Sequence, residues 1–344
     1  MKVSSIRHVI GALLLLGISM PAMARNVRRT LCVFDISGAS GHMYQIMKDY
    51  AIQAQRWGVD FRLRPYTDES TAKEDFEAGK CDAAEITGVR NRSLVKFAGS
   101  LDMMAALPDY RALHLAIQAI SSPNAAPLMR EGAYETVGVL PGGEVYLFGR
   151  NRRKLNDWKA LTGDRMAVLS YDKQAVQMAH FAGISMVPAN ISTFAGMFNN
   201  GSVDLCYAPA LAYSGLELYK GLGKSGGVLK YNLGILTMQI DTHWKEFPPG
   251  FGEKSRQWVA RDGFRPAMQF IQRATAQIPA RYWVSLSPQQ ESTYQQMFAQ
   301  VRQRLWVQHV YSHKMQILLK RIRCRENPSD PECSSHMEGP PVFR

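Results

Sequence analysis

Past residue 24, this 344-residue sequence has no apolar run close to the ~20 residues needed to span a bilayer, so no membrane helix is expected there. No Cys follows its one early apolar stretch, which leaves a lipoprotein anchor without an attachment site. There is no low-complexity tract. Catalytic constellations are missing as well, with no acidic pair or Cys–His set standing out. Gly38-Ala39-Ser40-Gly41 holds part of a serine-hydrolase elbow, but the G-x-S-x-G pattern is incomplete. Gly221-Leu222-Gly223-Lys224-Ser225-Gly226 has dinucleotide-binding spacing, yet it follows a predicted helix and precedes a strand, the reverse of the required context. His309 and His313 sit four apart on a predicted helix with no acid between them, in basic surroundings, and read as a solvated pair. The expectation is therefore a protein that is not an enzyme, with no metal and no cofactor.

Acids are outnumbered, 29 against 41 Lys and Arg, giving a formal net charge of +12. The cations are spread out. The densest group, Lys320, Arg321, Arg323 and Arg325, ends a C-terminal helix, where positive charge suits the helix dipole. A solvated basic surface is expected, and nucleic acid is not an expected partner.

The early apolar stretch has the three parts of an export signal. Lys2, Arg7 and His8 form a basic start, Val9 to Met20 is apolar, and Ala22-Met23-Ala24 offers the small-x-small pattern of signal peptidase. A short membrane anchor is the alternative reading. Cleavage near Ala24 leaves about 320 residues, enough for two lobes, in an oxidising compartment where disulfides persist. Of the five Cys, Cys324 and Cys333 bracket a turn-rich polar segment and are expected to pair. Cys32 and Cys81 open two neighbouring predicted strands, so a second bridge fits. Cys206 is left over, as a buried thiol rather than a nucleophile.

Periodicity organises the rest. A strand at Leu31 to Asp35 leads through the loop Ser37 to Gly41 into a helix. There Met43, Ile46, Met47, Tyr50, Ala51, Ala54 and Trp57 form one apolar face, read as core. A strand, a helix stopped at Gly79 and the strand Cys81 to Ile86 complete a β-α-β-α-β order, which implies a parallel sheet. The order recurs from Met166 to Tyr207. Both units carry Phe-x-x-Gly-x-x-Asp at a helix-to-strand junction: Phe76, Gly79, Asp82 and Phe198, Gly201, Asp204. The connection between units reads as largely helical, with a helix ending over Ala125 to Gly132 and a short strand at Thr136 to Leu140. Val228 to Ile240 reads as a strand that crosses back. Gly252 to Ala276 and Ser287 to Arg325 read as helices, and the last eleven residues as disordered.

The expected fold is α/β, in two lobes of like construction. Each lobe is a mostly parallel sheet flanked by helices, and long helices end the chain. Residues 25–145 would form lobe one with a return segment near 230–260. Residues 146–229 would form lobe two with helices from 261–325, and 326–344 a tail. Ligands in such sheets sit beyond the carboxyl ends of the strands. The candidate binding residues are therefore Ser37, Ser40 and Gly41, ahead of a helix N-terminus that can hold an anion; Thr87 and Arg90; Ser170, Tyr171 and Asp172; and Tyr207. Arg90 is the best charged candidate, because a guanidinium can grip a carboxylate bidentately.

Several segments carry a family resemblance. They include Thr30-Leu-Cys-Val-Phe-Asp35-Ile, Glu74-Asp-Phe76-Glu-Ala-Gly79-Lys-Cys81-Asp82, Leu216-Glu-Leu-Tyr219-Lys-Gly221-Leu-Gly and Ile278-Pro-Ala-Arg281-Tyr-Trp283. The chain resembles the DctP-like periplasmic solute-binding proteins of tripartite ATP-independent (TRAP) transporters. It is most similar to a solute-binding branch labelled AdeT, associated with efflux and aminoglycoside resistance. The resemblance implies a periplasmic monomer with the two-lobed, type II-like periplasmic-binding-protein fold, which delivers a small solute, an anionic one included, to membrane permease subunits. The label alone supports an alternative, an accessory protein of an envelope efflux system. One departure stands out. The family's acid-gripping Arg is replaced by Ala167, and its Asn before the last strand's Pro by Ala208.

Overall fold

The computed structural model describes residues 26–342. The expected export signal over residues 1–24 lies outside them. No helix among the described residues is long and apolar enough to cross a membrane.

The first unit runs β1 (Val27–Phe34), α1 (His42–Ala54), β2 (Val59–Tyr66), α2 (Glu69–Glu77) and β3 (Ala83–Thr87). β1 lies between β2 and β3, parallel to both. Its Leu31, Cys32 and Val33 are fully buried, as a strand covered on both faces requires. α1 buries Ile46, Met47, Tyr50 and Ala54 along one side. Then come α3 (Tyr110–Ser121), β4 (Arg130–Glu131) and β5 (Tyr134–Gly149). The second unit is β6 (Arg165–Leu169), α4 (Lys173–Ala182), β7 (Ser185–Ala189), α5 (Phe194–Asn199) and β8 (Leu205–Pro209), with β6 parallel to both β7 and β8. The chain closes with β9 (Gly227–Leu229), β10 (Ile235–His243), α6 (Phe251–Trp258), α7 (Phe264–Ala276), β11 (Trp283–Val284), α8 (Pro288–Val307) and α9 (His313–Glu326).

The main strand order is β2-β1-β3-β10-β5-β8-β6-β7. The two units thus sit at opposite ends, each with its first strand in the middle, joined by the antiparallel pair β10 and β5. This is the two-lobed α/β fold that the sequence suggests.

The repeated Phe-x-x-Gly-x-x-Asp junction works alike in both units. Phe76 and Phe198 are fully buried. Gly79 and Gly201 take left-handed φ values of +72° and +83° that favour glycine. Each Asp pins the amide of the strand beside it: Asp82 accepts from Thr30 N–H at 2.6 Å, and Asp204 from Arg165 N–H at 3.0 Å.

Several expectations need correction. The short strand at Thr136 to Leu140 is a 16-residue strand, β5. Pro141-Gly142-Gly143 forms a bulge opposite Leu236 and Thr237, and the strand continues from one unit into the other. The expected lobe boundary at 145/146 is a position along this continuous strand. Val228 to Ile240 is two strands, β9 and β10. Ala125 to Gly132 is not a helix end but a 3-10 segment, Pro123–Met129, followed by β4; Pro127 lacks the N–H that an α-helix needs there.

The C-terminal segment is also held, not loose. Glu338 is buried between Arg302 and Arg323, at 2.5 and 2.6 Å. Lys320 Nζ donates to the carbonyls of Ser335, Met337 and Gly339. Lys320 and Arg323 therefore serve the tail rather than a solvated helix end. A disulfide joins Cys324 to Cys333, and another joins Cys32 of β1 to Cys81 before β3. Cys206 is a buried free thiol, pushed well up by burial and so uncharged.

Candidate functional site

A cavity of about 600 Å³ lies where the carboxyl ends of the two parallel units face each other. Phe34 to Ser37 after β1, Thr87 ending β3, Tyr171 and Asp172 after β6, and Tyr207 to Pro209 of β8 all line it. β5 and β10 form another wall, through Pro141, Val145, Leu236 and Met238, and α7 contributes Phe270, Ile271 and Ala274.

The polar groups are built as follows. Asp35 turns back from the end of β1 onto the start of α1. Its carboxylate accepts from the N–H groups of Ser37 and Met43, both at 2.9 Å, and of Tyr44 at 3.3 Å. Gly41 makes room for this, since a Cβ there would lie 1.9 Å from the carboxylate. Asp172 does the same for α4, accepting from Gln174 and Ala175 N–H at 3.2 Å. Burial raises its pKa, opposed by nearby Arg92 and these amides. Tyr207 OH receives the N–H of Leu169 at 3.3 Å, and burial pushes this phenol well above its usual range.

Glu69, the first residue of α2, is fully buried. It accepts from Thr87 N–H at 2.7 Å, from Arg90 Nε at 3.0 Å and from Tyr171 OH at 3.4 Å. The Arg90 guanidinium lies 3.7 Å from the centre of the Tyr171 ring, a cation–π stack. This trio ties the first unit to the second across the cleft. Asp102 accepts from Thr237 N–H at 3.0 Å and from its hydroxyl, and burial pushes its pKa up to about 7. The His42 ring stacks on Phe270 at 4.3 Å, with its Nε2 buried and unpartnered.

Of the residues singled out in the sequence, Ser37, Ser40, Gly41, Thr87, Tyr171, Asp172 and Tyr207 come together around this cavity. Arg90 and Ser170 do not line it: Arg90 is held by Glu69 and Tyr171, and Ser170 is exposed. The amides expected to bind an anion already hold Asp35. Met43, expected in the core, also lines the cavity. Ala208 faces the cavity, whereas Ala167 is buried in the second unit's core. Arg165 pairs with Asp204 at 3.1 Å on the surface. The sequence gives no local sign of Glu69, Asp102, Met104, β10 or α7 at the site. β10 reaches it as the antiparallel return strand, and α7 as a helix about 200 residues from α2. His309 and His313 are not on one helix; His309 links α8 to α9 at φ +53°, and His313 stacks on Trp306 at 3.7 Å. Among the described residues no group of three or more His, Cys, Asp or Glu could hold a metal ion.

Comparison with known proteins gives consistent results. Residues 56–338 match the family described as solute-binding protein AdeT 1/2. The "Probable solute-binding protein AdeT1" of Acinetobacter baumannii is 36% identical over 306 residues, which cover 89% of this chain and 100% of that protein. The "Probable solute-binding protein AdeT2" of the same organism is 25% identical over 235 residues, 68% of this chain and 98% of that one. Among solved structures, a TRAP periplasmic solute-binding protein from Desulfovibrio desulfuricans with bound sn-glycerol-3-phosphate superposes with a TM-score of 0.72. It is 14% identical, and the match covers 89% of this chain and 99% of that one. One from Haemophilus influenzae with bound L-gulonate gives a TM-score of 0.70 at 10% identity, covering 86% and 98%. At these identities the structural matches speak for the fold.

Proposed function

We propose a function from one premise: the chain belongs to the AdeT 1/2 family of solute-binding proteins. In this reading the protein works in the periplasm as a monomer. It captures a small solute in the cavity between its two units and delivers it to the membrane subunits of a TRAP-type transporter. The lobes divide near residues 145 and 229, and the β5–β10 pair carries the connection. The observation that supports this most is the cavity itself. It lies beyond the carboxyl ends of two like-built parallel sheets, where open α/β folds bind ligands, and its size suits a small molecule. The protein is read as a binder and not an enzyme, because each acid around the cavity is engaged by amides, hydroxyls or an Arg, with no nucleophile beside a base.

A thermal-shift screen of the purified protein against a broad solute library tests the binding role. A ligand at about 100 times its Kd stabilises the native state by about 2.7 kcal/mol. Hits should raise the melting temperature of the wild type and not of Ile36→Trp, in which an indole from the half-buried cavity wall fills the space. Hits that shift both proteins equally would place binding elsewhere.

A further inference from the structure

The charge around the cavity runs opposite to that of the whole protein. Four acids line it, Asp35, Glu69, Asp102 and Asp172, against a single Arg, the exposed Arg273 of α7. The nearby cations are engaged elsewhere. Arg90 pairs with Glu69 and stacks on Tyr171. Arg92 donates to Gly99 O at 3.2 Å and Gln174 Oε1 at 3.4 Å, and it lies over the Tyr311 ring.

The two helix N-termini that point at the cleft are closed to outside anions as well. Asp35 holds the first amides of α1, and Asp172 those of α4. Each strand ends in its own internal anion, at matching places in the two units. A carboxylate ligand would find neither an open helix N-terminus nor a buried, unengaged guanidinium, only the exposed Arg273, and it would add a fifth acid to four.

The remaining wall is mostly apolar. Phe34, Met104, Val145, Met178, Phe194 and Met238 surround the space, and Ala208 offers only a methyl group. Thioether side chains adapt to irregular apolar shapes. His42 Nε2, buried and unpartnered, is one group left to orient a ligand.

We propose that the cavity takes a predominantly apolar solute that carries no acid group. This rests on the reading of the cavity as the solute site and deepens it. The polar end of such a solute is neutral or positively charged and donates towards the acid-rich rim, while its apolar body lies along the methionine and phenylalanine wall.

Three probes with one skeleton test the class: 6-phenylhexan-1-ol, 6-phenylhexylammonium and 6-phenylhexanoate, titrated by calorimetry into wild type, Ile36→Trp and Ser214→Arg. Ser214 is an exposed cavity-lining residue, so Arg there adds a second cation to the cavity wall beside Arg273. The alcohol and the ammonium should bind wild type, with the carboxylate weaker by about tenfold or more, the effect of one uncompensated buried charge. Ile36→Trp should bind none of the three, and Ser214→Arg should close or reverse the gap against the carboxylate. Equal or tighter carboxylate binding to wild type, lost in Ile36→Trp, would overturn the ligand class while keeping the cavity as the solute site. Binding that Ile36→Trp does not reduce, or no binding by any probe, would overturn both.

Discussion

Asp35 and Asp172 each end a strand and turn back onto the first amides of the next helix. In the sequence, Ser37 to Gly41 looks like an open cradle for an outside anion. The acid that fills it is eight positions from Met43, and nothing local marks the pairing. Arg90 misleads in a similar way, because its partner Glu69 is 21 residues away and its stacking partner Tyr171 belongs to the other unit. Single-residue chemistry is legible in a sequence only when its partners are close by. Buried acids also make the fold sensitive to pH. Burial raises Asp241 to about 8, with Thr136 donating to one oxygen at 2.6 Å and the other unpartnered. An acid raised on folding, from ~3.9 in the unfolded chain, stabilises fully below that value and loses its contribution as pH rises through the folded value. Urea unfolding at pH 5 and pH 8 should show wild type losing more stability across this interval than Asp241→Asn. The same loss in both proteins would remove Asp241 from the account.

At the level of elements, the amphipathic α1, the helix stops at Gly79 and Gly201 and the strands of both units follow from periodicity and glycine placement. β5 does not, because Pro141-Gly142-Gly143 carries the signature of a turn and tertiary pairing with β10 turns it into a bulge. The tail fails as a sequence reading for another reason. Residues 334–342 have little apolar content, but Glu338 bridges two buried guanidinium groups on α8 and α9, and Lys320 gathers three tail carbonyls. Removing one member of a buried ion pair leaves the other charge uncompensated, at about 3 kcal/mol or more. Glu338→Ala should therefore lose about 3 kcal/mol in urea unfolding. A loss under about 1 kcal/mol, the range of a surface pair, would mean that the tail does not hold α8 to α9.

For the whole molecule, the repeated Phe-x-x-Gly-x-x-Asp junction announces two like-built units, and their carboxyl ends face one cavity. Net charge informs less. The protein is basic at +12, yet its cavity is lined by four acids and one exposed Arg, because the surplus cations lie outside the cavity wall or are engaged by neighbouring groups. The central claim is that this space holds an apolar solute without an acid group. Native mass spectrometry of protein purified from the periplasm tests it most directly, comparing wild type with Ile36→Trp. The account predicts a bound small molecule in wild type, absent from Ile36→Trp, that proves on release to be largely apolar and to lack a carboxylate, phosphate or sulfate. A released organic acid, or an adduct that Ile36→Trp retains, would contradict it.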